Sequence, residues 1–244
     1  MKTIVVWFSC GAASAVAVKK TIEKYGQTHI VRVVNNPIEE EHEDNKRFLH
    51  DVEKWLGIKV EFAINTKENT TSCIKIWDRR SFMSGIKGAP CTMLLKKRAR
   101  QEFQSKNHID YHVLGFTLDE KKRHEKFILT ELDNVLPVLI EENITKEMCF
   151  DIIRENKIKL PVIYDLGFPN ANCIGCVKAT SPTYWNLVRK FFPVVFNQRT
   201  EQSRRLGARL VRVKGARKFL DELKKTDKGA KIKSWECGIF CEEK

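Results

Sequence analysis

Apolar and polar positions in the first half of the chain change period in a regular way. Ile4 to Phe8 is a short, wholly apolar run of β-branched and aromatic residues, the pattern of a strand buried on both faces of a parallel sheet. Ser9-Cys10-Gly11-Ala12-Ala13-Ser14 follows, all small, and then an Ala/Val-rich segment ending in Lys19 and Lys20, so the reading is strand, tight turn, helix. Ile30 to Val34 is a second strand, ending in Asn35-Asn36-Pro37. An acidic helix over roughly Glu39 to Leu56 carries Phe48, Val52, Trp55 and Leu56 at helical spacing, with Gly57 just past its end. Lys59 to Ile64 is a third strand, and Thr70 to Gly88 reads as a helix followed by a loop. Pro90 introduces a basic helix from Cys91 to Ser105. Tyr111 to Phe116 is a fourth strand, Glu120 to Leu132 a helix, and Val135 to Ile140 a fifth strand. Thr145 to Asn156 is then a helix with Thr145 as its N-cap.

Strands alternating with helices in this way predict an α/β fold with a doubly wound, mostly parallel five-stranded sheet over residues 1–160. After Pro161 the pattern changes. Tyr164 to Asn172 is turn-rich, Ser181 to Arg205 is helical with an interruption at Pro193, and Ala216 to Lys224 reads as a short amphipathic helix. Residues 161–244 are therefore expected to form a mainly helical lobe packed on the sheet. Ligands of such sheets bind at the carboxyl ends of the strands, near the switch in strand order. The Ser9 to Ser14 turn, Asn35 to Glu41 and Gly115 to Glu120 all occupy such ends. A turn of small residues leading into a helix N-terminus suits a phosphate or sulfate.

Composition adds a class of partner. Among 244 residues the formal charge is +13, concentrated in Lys96 to Arg100, Lys121 to Arg123, Arg199 to Lys218 and Lys224 to Lys233. Such a surface attracts nucleotides, sulfated compounds or tRNA and DNA, while solvated helix faces would carry the same residues. No apolar run is long enough to span a membrane, and the opening run lacks the length and cleavage site of a signal peptide, so no membrane partner and a cytoplasmic address are expected.

Eight cysteines without a secretory signal point to metal or redox chemistry rather than to a disulfide framework. Cys173-Ile174-Gly175-Cys176 can bring two thiolates to one metal or cluster iron. Cys237 and Cys241 near the C-terminus and Cys91 at the head of a helix can complete a set of four, and spacing alone fits either zinc or a [4Fe–4S] cluster. Cys10 lies in the turn itself. Cys73 and Cys149 fall in helix-like segments and read as buried small hydrophobes. The run from Glu39 to Asp44 reads as an acidic helix start rather than a cation site. Trp185, Phe191 and Phe192 read as core.

These residues together carry a resemblance. FSCGAAS, Phe8 to Ser14, is similar to the modified phosphate loop of the phosphoadenosine phosphosulfate/adenylyl sulfate reductase family, a branch of the adenine-nucleotide α-hydrolase (PP-loop) superfamily. The stretch from Pro137 to Cys176, with LPVIYDLGFPNANCIGC, resembles that family's signature block. GFTLDEKKR, Gly115 to Arg123, and WECGI, Trp235 to Ile239, match two further segments.

The resemblance implies an adenine-nucleotide-binding fold of the HUP type. It implies that Ser9, Gly11, Ala13 and Ser14 cradle the phosphate or sulfate end of the nucleotide. The strand ends at Trp7, Phe8, Val34 and Asn35 would hold adenine, with Gly115 and Arg123 completing the site. It implies a [4Fe–4S] cluster, with zinc as the alternative, on Cys91, Cys173 and Cys176, and Cys241, or alternatively Cys237, is expected to supply the fourth ligand. Cys237 of the ECG segment would be the nucleophile, served by a thioredoxin-type reductant. Three departures bear on this: Cys91 stands alone where the family has a tandem pair; Phe240 replaces the usual histidine and is followed by Cys241; and the loop lacks the lysine and aspartate of ATP-cleaving relatives. If Cys237 is instead a ligand, an ATP-dependent sulfurtransferase acting on tRNA or DNA becomes the alternative, and a nucleotide-sensing module without turnover is a third.

Overall fold

The computed structural model describes residues 1–85 and 88–229. In chain order the elements are β1 (Thr3–Trp7), α1 (Ala12–Tyr25), β2 (Ile30–Asn35), α2 (Asp44–Leu56), β3 (Val60–Phe62) and α3 (Cys73–Arg80). A π-helical stretch, Thr92–Lys97, runs into α4 (Arg98–Lys106), followed by β4 (Tyr111–Val113), α5 (Lys121–Thr130) and β5 (Val135–Leu136). Then come α6 (Val138–Glu141), α7 (Lys146–Glu155), α8 (Val162–Asp165), α9 (Pro182–Phe191), α10 (Pro193–Arg205), β6 (Val211–Val213) and β7 (Ala216–Lys218).

The chain divides into two compact units that interleave in sequence. One comprises Met1–Pro37, Glu43–Ile64 and Ala99–Pro161; the other comprises Ile38–His42, Asn65–Arg98 and the chain from Val162 onward.

The first unit is an α/β layer structure around a five-stranded, wholly parallel sheet of order β3-β2-β1-β4-β5. β1 is central, so Ile4, Val5 and Val6 have no exposed surface and the strand needs apolar residues on both faces. On β2 the one charged position, Arg32, makes a two-pronged bond to Glu61 of β3 at 2.8 and 2.6 Å. Strand order reverses beside β1, between β2 and β4, which puts the doubly wound switch point at the turn after β1. Thr145 caps α7 by accepting from the Met148 N–H, and Gly57 closes α2 in the left-handed conformation at φ 62°.

The fifth strand is shorter than its apolar run suggests. It stops at Leu136 and the chain turns into α6, because Pro137 has no N–H to give the ladder. The acidic helix begins at Asp44 rather than Glu39, since Glu40 is used elsewhere, as described below.

The second unit has its own core, centred on Trp77, Met83, Tyr184, Trp185, Val188 and Leu210. Pro193 begins a new helix rather than kinking one, so the region 181–205 is α9 and α10 with Phe192 between them. The expected helix over Ala216 to Lys224 is a correction: β6 and β7 form an antiparallel hairpin, followed by a 3-10 turn at Leu220–Glu222. Lys214 and Gly215, both at positive φ (47° and 84°), form its two-residue turn, the geometry that matches strand twist. Among the described residues no helix is long and apolar enough to cross a membrane.

Candidate functional site

In the first unit the turn after β1 is built from small side chains bonded to one another. The Ser14 hydroxyl donates to the Gly11 carbonyl at 2.9 Å and accepts from the Ser9 N–H at 3.2 Å, and the two serine hydroxyls lie 3.2 Å apart. Gly11 is the N-cap of α1 and makes no side-chain cap, and this helix end is the positive end of the helix dipole. Cys10 is buried and takes φ 57°, a left-handed conformation that costs a non-glycine residue roughly 1–2 kcal/mol. Its sulfur lies 3.6 Å from Nδ2 of Asn35, which also donates to the Phe8 carbonyl at 2.7 Å. A polar side chain from the end of β2 thus holds the turn in its strained shape.

Gly115, just after β4, presses against this turn. A Cβ there would lie 2.8 Å from the Ser14 nitrogen and 2.9 Å from the Ala13 carbonyl carbon, both backbone atoms. Only glycine permits that approach. Ser9, Gly11, Ala13, Ser14, Asn35 and Gly115 are therefore gathered at one end of the sheet. Trp7 and Phe8 are more fully engaged. The Trp7 indole donates to Nδ1 of His112 at 3.0 Å, and the Phe8 N–H donates to the Val34 carbonyl at 2.8 Å. Arg123 bonds Glu120 at 2.6 Å and covers the Phe116 ring. Glu120 completes a capping box with Thr117, and Asp119 accepts from the Lys146 N–H at the head of α7, so both carboxylates serve helix ends.

The second unit gathers thiols. Cys91, Cys173 and Cys176 are all buried, and so is Cys73 at the first position of α3. The neighbouring Cys173 and Cys91 thiols, together with burial, push the Cys73 thiol well above the usual thiol range. The Cys173–Cys176 loop is fixed at every residue. Tyr184 Oη donates to the Cys173 carbonyl at 3.3 Å and accepts from the Cys176 N–H at 2.9 Å. The Ile174 N–H donates to the Glu40 carbonyl at 2.8 Å, and the Gly175 carbonyl accepts from Arg199 at 3.3 Å. Gly175 sits at φ 68° with Val195 and Arg199 against it, so no other residue fits easily.

Glu40 also reaches the other side of the cluster. Its carboxylate accepts from the Ser72 hydroxyl at 2.6 Å and from the Cys73 N–H at 2.7 Å, capping α3. Arg199 is 1% exposed and lies over the Trp77 ring at 4.7 Å. Burial lowers its pKa, while Glu40, Cys73 and Cys173 favour its charge. The thiol group thus carries a buried cation beside it.

Among the described residues no three His, Cys, Asp or Glu side chains are already set out as metal ligands. Cys73, Cys91 and Cys173 belong to one buried, largely apolar cluster. Thiols are soft donors and bind a thiophilic metal as thiolates. Cys237 and Cys241 lie outside the described residues, as does the WECGI segment. Cys149 is a buried thiol pushed up to about 12, chiefly by burial.

Cys73, Glu40, Tyr184 and Arg199 carry no motif; their spacing to the other thiols is set by the fold. The family model described as the phosphoadenosine phosphosulfate reductase domain matches residues 3–182. No curated protein matches the chain.

Proposed function

Because the chain belongs to the phosphoadenosine phosphosulfate reductase domain family, we propose that it reduces a sulfonucleotide to sulfite at the expense of a dithiol. The observation that carries this is the Ser9–Ser14 turn pressed by Gly115, an anion cradle at the switch point of a parallel sheet. Its hydroxyls and N–H groups suit the phosphate–sulfate end of phosphoadenylyl or adenylyl sulfate. The carboxyl ends of β1 and β2 suit adenine, and Arg123 supplies a bidentate donor for phosphate oxygens when it exchanges Glu120 for substrate.

The Cys237 thiolate attacks the sulfate sulfur. An S–S bond forms, the S–O bond to the nucleotide phosphate breaks, and the nucleotide leaves with that electron pair, giving an enzyme S-sulfonate. A thioredoxin-type dithiol then attacks the Cys237 sulfur. Sulfite leaves, Cys237 returns to a thiol, and the reductant ends as a disulfide. This role of Cys237 rests on the ECG resemblance.

Cys91, Cys173 and Cys176 would hold a [4Fe–4S] cluster, or zinc, with a further thiolate. When bound, such a centre supplies a fixed charge and, for the cluster, redox capacity.

The test is sulfite release from each sulfonucleotide with thioredoxin and its reductase. Wild type should release sulfite and Cys237→Ser should not; no release from wild type with either nucleotide refutes the proposal. A second reading, transfer of sulfur to tRNA or DNA, is favoured by a cavity of about 310 Å³ lined by Arg209, Arg212 and Arg217. Tight, salt-sensitive binding of tRNA or DNA would support it.

A further inference from the structure

Besides its thiols, the second unit holds a concave site of basic character. It is a cavity of about 310 Å³ whose lining includes Ser84, Val177, Leu210, Arg209, Arg212 and Arg217. The hairpin explains why arginines gather there. Strand side chains alternate in direction, and Val211 and Val213 of β6 are buried in the unit's core, so Arg212 between them stands on the opposite face. Its cross-strand partner is Arg217 of β7. Like charges directly opposite one another destabilise a strand pair.

Nothing described relieves that repulsion. Arg217 donates to the Leu210 carbonyl at 3.1 Å, a neutral acceptor, and Arg209 lies 5.5 Å from the centre of the Phe219 ring. Partial burial, and then the Arg212 charge, lower the Arg217 pKa. Among the described residues no carboxylate pairs with Arg209, Arg212 or Arg217. The neighbouring Arg204 and Arg205 are paired, the first with Asp221 and Glu222 and the second with Asp78. An anion seated between Arg212 and Arg217 would supply the missing charge.

Shape and charge suit a smaller guest than a nucleic-acid strand. Guanidinium forks bond tetrahedral oxyanions through paired N–H groups. A terminal phosphate carries about −1.5 to −2 at pH 7, whereas each phosphate within a strand carries a single charge. Three guanidinium groups around one concavity match the terminal group better. The volume falls at the lower end of the roughly 300–1,000 Å³ usual for small-ligand sites. Val177 and Leu210 give it an apolar wall for the body that carries the phosphate, and Ser84 adds a hydroxyl.

We propose that this cavity binds the terminal phosphate of a small molecule, with Arg212 and Arg217 as a cross-strand clamp and Arg209 as a third donor. It is an anion site carried by the second unit alone, additional to the Ser9–Ser14 turn of the first.

The test is isothermal titration of the full chain with uridine 5′-monophosphate, which keeps the terminal phosphate and lacks the adenine that suits the first unit. Arg212→Gln is the decisive variant, because among the described residues the Arg212 side chain makes no hydrogen bond or ion pair. It should bind about 10- to 150-fold more weakly, the loss expected for one charge-assisted hydrogen bond. Arg205→Gln removes the same charge from a residue outside the cavity lining and should match wild type. Uridine, which has no phosphate, should not bind. Arg212→Glu should bind no monophosphate, yet melt above wild type in phosphate-free buffer, because it faces Arg217 with an opposite charge. The monophosphate should raise the Tm of wild type and leave that of Arg212→Glu unchanged.

A wild-type chain that binds no uridine monophosphate, or binds it as Arg212→Gln does, overturns the assignment. An equal loss in Arg205→Gln overturns it in favour of attraction to net charge alone. Arg212-dependent binding of an oligouridylate with hydroxyl ends, without competition from the monophosphate, overturns it in favour of a nucleic-acid strand. None of these readouts depends on sulfite release, so failure here and failure of the reductase reading are told apart.

Discussion

Replacing Gly115 with alanine tests the anion cradle at its tightest point. The new Cβ would sit 2.8 Å from the Ser14 nitrogen, 2.9 Å from the Ala13 carbonyl carbon and 3.0 Å from the Ser14 Cα. Ordinary carbon contacts begin at roughly 3.5 Å, so α1 or the chain after β4 must retreat by about 0.7 Å. Because all three neighbours are backbone atoms, no side-chain rotation relieves the clash. Overpacking of this kind costs about 1–3 kcal/mol. For a chain of this size each kcal/mol lowers Tm by roughly 2–4 °C.

The displaced atoms include the Ser14 nitrogen, within the turn proposed to hold the nucleotide's phosphate or sulfate. Losing the alignment of one charge-assisted hydrogen bond is worth about 1.5–3 kcal/mol, or roughly a 10- to 150-fold weaker Kd. Isothermal titration with an adenine nucleotide reads this directly. Ile153→Val, a buried change on α7 in the same unit, serves as the control, because it lowers stability by about 1 kcal/mol without touching the turn. If Gly115→Ala binds nucleotide within twofold of wild type, the turn is not the cradle.

Three further outcomes follow from particular contacts. His112, buried against Trp7 and Gln104, has its pKa pushed down to about 4 by burial and then by Arg100, so the unfolded chain takes up its proton first as pH falls. Its contribution is complete above about pH 6.5 and is lost down to about pH 4; chemical denaturation should show about 2 kcal/mol less stability at pH 5 than at pH 7, and His112→Gln should flatten that difference. Gly175→Ala must take φ 68° with its Cβ 3.0 Å from Val195 and 3.2 Å from Arg199, whereas Gly207→Ala meets the same backbone strain in open space. Calorimetry should show Gly175→Ala losing about 1–3 kcal/mol more than Gly207→Ala. Arg199→Met, which keeps bulk over Trp77 but removes the buried charge, should weaken cobalt(II) binding about 10–100-fold and leave nucleotide affinity unchanged.

The parallel sheet and its ligand-facing turn were legible in the sequence, because both are local. An apolar run buried on two faces, a cluster of small residues and a following helix occupy Ile4 to Lys20 without a break, and strand–helix alternation repeats the unit. The hairpin at Val211 to Lys218 was missed because its signal is only Lys214-Gly215 within a basic stretch, where charge masked the alternation of Val211 and Val213. The interleaving of the two units and the company kept by Cys73 were decided by tertiary structure alone. Cys73 and Cys173 are brought together by packing around Trp77 and Tyr184 and by one glutamate that serves two segments. No periodicity records which distant surfaces a helix end will meet, since burial rewards the total apolar area removed from water rather than any particular pairing along the chain.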